Sequence, residues 1–212
     1  MALSIKTLSH QNTSEFDGFY AIYSRAFPLS EQKSRDALVA MQQASCYTIY
    51  LAYDDEKIVG FCIMYHPYNE DFFLLEYMAI DEKKRSLGFG STLLKHSIEQ
   101  LFATHGTRII LIEIDAPKEA SLEQTICTKR EEFYRRLGAL KIESFEYILP
   151  LQLHGKPPPM KLLVYHPTVC TLSKKMLQTW LEKLYMGVYG CSKNDPRITQ
   201  MLHGVPATLR LI

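Results

Sequence analysis

An α/β fold, with strands and helices alternating along the chain, is predicted by three stretches of the sequence. Phe72–Ile80 (FFLLEYMAI) is apolar apart from Glu76 and stops at Asp81, the pattern of a strand covered on both faces. From Gly90 onward Leu94, Ile98, Leu101 and Phe102 recur at helical spacing, with Lys95, His96, Glu99 and Gln100 left for solvent. RIILIEIDAP, ending at Pro117, is a second buried strand, followed by a helix through about Leu137 that Gly138 terminates. The order is strand, helix, strand, helix.

The flanking elements follow the same logic. Leu3, Ile5 and Leu8 mark a first strand, and Thr13–Ala26 a helix whose stripe of Phe16, Phe19, Tyr20 and Tyr23 is core rather than binding site. Phe27-Pro28 breaks that helix, and Ser30–Ala44 reads as another, with Ser30 as N-cap and Glu31 near the positive end of the dipole. Cys46–Tyr53 and Ile58–His66 are β-rich runs around Asp54-Asp55-Glu56-Lys57, which reads as a hairpin turn. Lys141–Leu149 and Lys161–His166 read as a final strand pair, joined by a loop that the stiff Pro157-Pro158-Pro159 shapes.

From Thr171 to about Tyr189, Leu172, Met176, Leu177, Trp180, Leu181 and Leu184 form a helical apolar stripe, and a turn-rich tail follows. The expected organisation is one domain over residues 1–166, with residues 167–212 as a helical appendage packed on it. No internal repeat or low-complexity segment interrupts it.

The 212 residues, 47% hydrophobic, are enough to bury an ordinary core. A formal charge of +1 with scattered basic residues argues against the broad positive face that nucleic acid or an anionic membrane requires. The expected partner is therefore a small ligand or a protein. Cys46, Cys62, Cys127, Cys170 and Cys191 are odd in number and lack a C-x-x-C pair, so neither a disulfide framework nor a zinc site is indicated, and no metal is expected. The N-terminal MALSIKTLSH lacks a signal-like apolar core and no later run is long enough to span a bilayer, so a cytoplasmic protein, monomer or homodimer, is expected.

Gly88 and Gly90 keep side chains away from the start of the helix, so that consecutive backbone N–H groups can converge on one anion, with Lys83, Lys84 and Arg85 adding positive charge. A pyrophosphate is the guest this implies; a tight turn with a solvated basic rim is the other reading. GxxxxGK[ST] is absent, and GxGxxG fails where Leu93 stands for the third glycine, so neither a Walker loop nor a Rossmann fingerprint is present.

Arg85-Ser86-Leu87-Gly88-Phe89-Gly90 resembles the [RQ]-x-x-G-x-[GA] acyl-CoA signature of the GNAT N-acetyltransferases. Met78-Ala79-Ile80 resembles that family's strand ending, and Phe133-Tyr134-Arg135-Arg136-Leu137-Gly138 its late helix with a tyrosine and a terminal glycine. The resemblance covers roughly residues 1–166, and the C-terminal helix lies beyond it. It implies a GNAT acyl-CoA N-acyltransferase fold, a mixed, splayed β-sheet flanked by helices, here with an extra C-terminal helix. It also implies acetyl-CoA as co-substrate and direct attack by an amine. The amides from Arg85 through Ser86, Leu87, Gly88, Phe89 and Gly90 to Ser91 would hold the pyrophosphate. The backbone of Met78, Ala79 and Ile80 would pair with the pantetheine arm, and Tyr134 would protonate the departing thiolate. Two departures, Cys127 where the family often has asparagine and LGA in place of LGF, bear on the helix contacts to CoA.

Such a transfer needs a proton acceptor, because an alkyl ammonium of pKa ~10.4 costs roughly 4.6 kcal/mol to deprotonate at pH 7. Glu76 is the first candidate: Phe72, Leu74, Met78 and Ile80 are expected on its face, so its carboxyl is partly desolvated and its pKa raised. Its other readings are a glutamate satisfied by an Arg or a backbone partner, or one that lines the acceptor pocket to hold a cation. Glu113, with Asp115 on the same face of the next strand, is the second candidate, against strand-end solvation; His66 is an outside one. The aromatic first helix, the Phe27–Glu31 turn and the proline loop would border the acceptor, and Glu76 and Glu113 suit a cationic amine, on a small molecule or on a protein. The alternatives are a catalytically silent acyl-CoA sensor, or a partner-binding module that uses Trp180 and its neighbours.

Overall fold

A computed structural model describes residues 3–9, 12–116, 122–150 and 160–212, in two compact units, Met1–Arg108 and Ile109–Ile212. In the first, β1 (Ser4–Thr7), β2 (Tyr47–Asp54), β3 (Lys57–Tyr65) and β4 (Phe72–Ile80) pair antiparallel in chain order. Helices α1 (Thr13–Ala26) and α2 (Arg35–Gln43) precede β2, and α3 (Phe89–His105) follows β4. Period-2 alternation aims Ile49 and Leu51 of β2 and Phe61 and Ile63 of β3 at Phe16, Phe19, Ile22 and Tyr23 of α1, making one core. Leu93, Leu94, Ile98 and Leu101 are the buried stripe of α3, and Phe73 of β4 meets Phe102 of that helix.

Two expectations about this unit need correction. The helix does not begin at Ser30: a 3-10 turn spans Leu29–Glu31, Gln32 is extended, and α2 starts at Arg35 with Ser34 as its cap, accepting from the Ala37 N–H. The Gln32 side-chain amide donates to the carbonyls of Ser24 and Phe27, which ties this segment back to the end of α1 and prevents one continuous helix. The second concerns β4. Ile63 pairs with Tyr77 and Met64 with Leu75, so Glu76 is the extra residue of a β-bulge. The bulge shifts the alternation: Tyr77 packs on Tyr23 and Phe27, and Ala79 joins the α1 core. Phe72 and Leu74 share the face of Glu76, whereas Met78 and Ile80 do not.

In the second unit, β7 (Met160–Tyr165) lies between β5 (Ile109–Asp115) and β6 (Ala139–Lys141), antiparallel to both, with α4 (Leu122–Arg136) between β5 and β6 in the chain. The expected strand Lys141–Leu149 is only partly a strand. Ser144 takes a positive φ of 55°, which breaks the extended run, and Tyr147 keeps a single bridge to Met160. The alternation of Phe145, Tyr147 and Leu149 reports burial without a ladder. Pro117 and Pro157-Pro158-Pro159 lie outside the described residues.

The C-terminal segment is more ordered than a helix and tail. β8 (Thr171–Ser173) pairs with β9 (Thr208–Arg210), and α5 (Lys174–Gly187) and α6 (Pro196–Leu202) lie between them. Ser173 caps α5 through the Met176 N–H. Leu177, Trp180, Leu181, Leu184 and Tyr185 are its buried stripe, while Met176, expected in that stripe, is exposed. Lys141 and Ile212 exchange both backbone hydrogen bonds, at 2.8 and 2.9 Å, and the Glu143 N–H donates to the Arg210 carbonyl, so the chain end is stitched to β6. Trp180 is 1% exposed. Trp180→Ala should therefore destabilise the protein by about 3–5 kcal/mol in chemical denaturation; a cost below about 1 kcal/mol would show that α5 does not unfold with the rest.

Candidate functional site

The glycine turn lies between β4 and α3. Asp81 ends the strand: one carboxylate oxygen accepts from the Lys83 N–H and the other pairs with Arg25 at 3.0 Å. Ser86 and Gly88 both adopt the left-handed conformation, at φ of 63° and 82°, and Gly88 is the N-cap of α3. A Cβ built on Gly88 would meet nothing within 4 Å, so glycine is needed there for its backbone angle rather than for space. The first-turn N–H groups of Phe89, Gly90 and Ser91 lack intrahelical acceptors, and neither a side-chain cap nor an acidic residue offsets them. The positive end of a 17-residue helix is thus open to an anion.

The basic run beside this turn is less uniform than its sequence. Lys84 is committed to Asp54 at 2.7 Å, and Arg85 Nε donates to the Ile80 carbonyl at 3.2 Å. A cavity of about 240 Å³ is lined by Ile22, Arg25, Ile80, Asp81, Lys83 and Arg85, among others. The Asp81 N–H bonds to Val59 of β3 at 2.8 Å. By alternation, the backbone groups of Met78 and Ile80 turn away from β3, as the Arg85 bond to the Ile80 carbonyl requires, and those of Ala79 turn toward it.

Glu76 sits in the bulge with its side chain 4% exposed. Lys33 Nζ is 3.0 Å from Oε1, and the Tyr47 hydroxyl is hydrogen-bonded to the same carboxylate. Oε2 has no hydrogen-bond partner among the described residues. Burial pushes the carboxyl above its usual range, against the opposing pull of Lys33 and then Tyr47. Lys33 is held over it by long-range bonds: its own N–H donates to the Tyr23 hydroxyl at 2.7 Å, and the Tyr77 hydroxyl donates to the Glu31 carbonyl at 2.9 Å.

In the second unit, Glu113 of β5 accepts from the hydroxyls of Tyr147 and Tyr189, the latter at 2.5 Å. Burial pushes the Tyr147 phenol well above its ordinary value, and the neighbouring Glu113 adds to this. Asp115 forms an ion pair with Arg130 of α4. Tyr134, also on α4, is buried edge-on against Phe133, and Cys127 is buried on the same helix. His66 is buried, with Nε2 2.9 Å from the Thr48 hydroxyl and its ring stacked on His105, and its pKa falls to about 4 chiefly through burial. Its ring is occupied structurally.

The residues Met78–Ser91 and Glu76 therefore belong to the first unit, and Glu113 and Tyr134 to the second. The sequence reading missed the groups that hold the two carboxylates. Lys33 lies in a segment whose sequence reads as the first turn of a helix, and Tyr189 at the end of a stripe read only as apolar, so neither was marked as a partner. For Tyr147, the alternation signalled burial but not the hydroxyl's partner.

The described residues contain no helix long and apolar enough to cross a membrane. The model of the acetyltransferase (GNAT) family matches residues 16–139. No curated protein matches the sequence. Among solved structures, a Bacteroides thetaiotaomicron protein described as an acetyltransferase of the GNAT family superposes with a TM-score of 0.72 at 22% identity, over 89% of this chain and 99% of the other. A GNAT family acetyltransferase from Elizabethkingia anophelis with acetyl-CoA bound gives 0.53 at 17%, over 77% and 97%. An aminoglycoside 6′-N-acetyltransferase complexed with coenzyme A gives 0.60 at 16%, over 78% and 98%. At these identities the structural likenesses carry the fold alone, the strands and helices described for each unit. The family model spans more than half of the 212 residues and covers both the glycine turn and the Tyr134 helix, and on that match the chain belongs to the GNAT acetyltransferase family.

Proposed function

We propose that the protein is an acetyl-CoA-dependent N-acetyltransferase that moves the acetyl group directly to an amine. The observation that carries this reading is the open N-terminus of α3 at left-handed Gly88, directly after a strand with a buried carboxylate in its bulge. In this reading the amides from Arg85 to Ser91 bind the pyrophosphate, and the backbone of Met78, Ala79 and Ile80 pairs with the pantetheine arm. Solved structures with coenzyme A or acetyl-CoA bound share the fold, which supports that co-substrate.

The amine gives up a proton to Glu76, directly or through a water, and its nitrogen attacks the thioester carbonyl carbon. The new C–N bond forms in a tetrahedral intermediate, the C–S bond breaks as Tyr134 protonates the leaving thiolate, and the second proton lost by the nitrogen returns to the Tyr134 oxygen, directly or through water. Glu113 serves as a second acidic group toward the acceptor, held by its two tyrosines. The catalytic region is residues 1–166, with 167–212 as its appendage. One observation favours a second reading, an acyl-CoA sensor without turnover: the carboxylate of Glu76 already holds a lysine.

Acetyl-CoA at ten times its dissociation constant should stabilise the protein by ~1.4 kcal/mol, raising the thermal midpoint by roughly 3–6 °C. Gly88→Asp, which places an anion in the turn, should remove the shift; a shift that survives it would move the cofactor elsewhere. Thiol release with an amine present separates enzyme from sensor. Tyr134→Phe should lower turnover by about 10²-fold or more while leaving the acetyl-CoA shift intact, and equal turnover would remove the acid assignment.

The pH dependence tests Glu76. The base works only when ionised, and burial raises its pKa, so kcat/KM should climb with pH through a limb lying above the usual carboxylate range. That limb should stay in place when acceptors of different amine pKa are compared and vanish in Glu76→Gln. A limb that moves with the acceptor and persists in Glu76→Gln would belong to the amine alone.

A further inference from the structure

We propose that the acceptor is a small aminocarboxylate, in which the reacting amine docks on Glu76 Oε2 and the carboxylate of the same molecule docks on Lys33 Nζ. This rests on the acetyl-transfer reading above and names its substrate class.

Charge sets the class of ligand. Glu76 is paired with Lys33 at 3.0 Å. An added amine at Glu76 therefore enters beside a fixed cation. A compact ligand bearing both charges meets both halves of the pair, whereas a polycation meets repulsion from Lys33.

Each half of such a ligand has a partner atom. Glu76 is buried, yet its Oε2 has no partner among the described residues, an arrangement that costs free energy unless a donor arrives. Lys33 has three donors and gives one of them to Oε1 at 3.0 Å, and its side chain is 25% exposed where that of Glu76 is 4% exposed. The segment carrying it is fixed rather than adaptable: Tyr23 and Tyr77 hold the backbone of residues 31–33 by hydroxyl bonds, and Gln32 holds it to the end of α1. The ammonium is in this way presented at a set distance from the proposed base.

The test measures thiol release at a fixed acetyl-CoA concentration with three acceptors: a pool of the standard α-amino acids, the matched pool of their carboxamides, and spermidine. The wild type should favour the acids over the amides by roughly 10- to 100-fold in kcat/KM and should use spermidine poorly. Lys33→Gln should bring the acid-to-amide ratio close to one, mainly through KM, and Lys33→Arg should retain it. The ratio is taken within each variant, so a general loss of activity or stability does not alter it. A wild-type ratio near one, a preference for spermidine, or a ratio unchanged in Lys33→Gln would overturn the aminocarboxylate proposal and leave acetyl transfer standing. Acetyl-CoA binding without thiol release from any of the three would overturn both.

Discussion

A carboxylate inside a β-sheet has to be compensated, and the compensation of Glu76 organises the first unit. The bulge turns Glu76 and Tyr77 to the same side of β4, toward α1 and the segment before α2. That segment cannot simply continue as helix, because Lys33 must reach Oε1 while Tyr77 and Tyr23 grip its backbone. The late start of α2, the cluster of tyrosines and the broken alternation of β4 are therefore one arrangement seen from three elements. Replacing a buried ion pair with apolar side chains of similar volume is often neutral or stabilising. Stability alone is thus a weak reason for Lys33 and Glu76, and chemistry a better one.

The second unit handles its strand carboxylate differently. Glu113 accepts from two tyrosine hydroxyls, where Glu76 is paired with a lysine. One of those hydroxyls, Tyr189, follows α5, so the C-terminal segment reaches β5 through a polar contact. The backbone pairing of Ile212 with Lys141 fastens the same segment to β6. The appendage is consequently part of how the second unit is built, and its buried stripe on α5 is committed to packing within the fold.

Much of the fold was legible because its longer elements carry strong periodicity. α1 runs from Thr13 to Ala26 as read, β4 and β5 are the two apolar runs, and α3 begins beside the glycines. Misreadings arose where local signals were balanced. Ser30 and Ser34 are both plausible caps, and Gln32, bonding to carbonyls of α1, decided between them. The alternation after Lys141 was read as a strand, although burial without pairing gives the same pattern. The bulge left no mark, since Phe72–Ile80 is apolar on both faces and a one-residue shift changes nothing visible in composition. At the site, the glycine turn and both glutamates were legible as residue types. Their partners were not: Lys33 is 43 positions from Glu76 and Tyr189 76 positions from Glu113, separations that no local pattern encodes.

On the proposed reading, the same ion pair would link acceptor choice to base strength. Burial raises the affinity of Glu76 for a proton, and Lys33 and Tyr47 hold that affinity down. In the resting site burial outweighs them, and the net direction is upward. On the proposed reading, an acceptor carboxylate that engages the Lys33 ammonium draws off part of the field that lowers the pKa of Glu76. The base then gains strength when the amine whose proton it must take arrives beside it. An amine without the carboxylate would meet the weaker base, so the group that recognises the acceptor would also tune the proton transfer, a smaller effect than its contribution to binding.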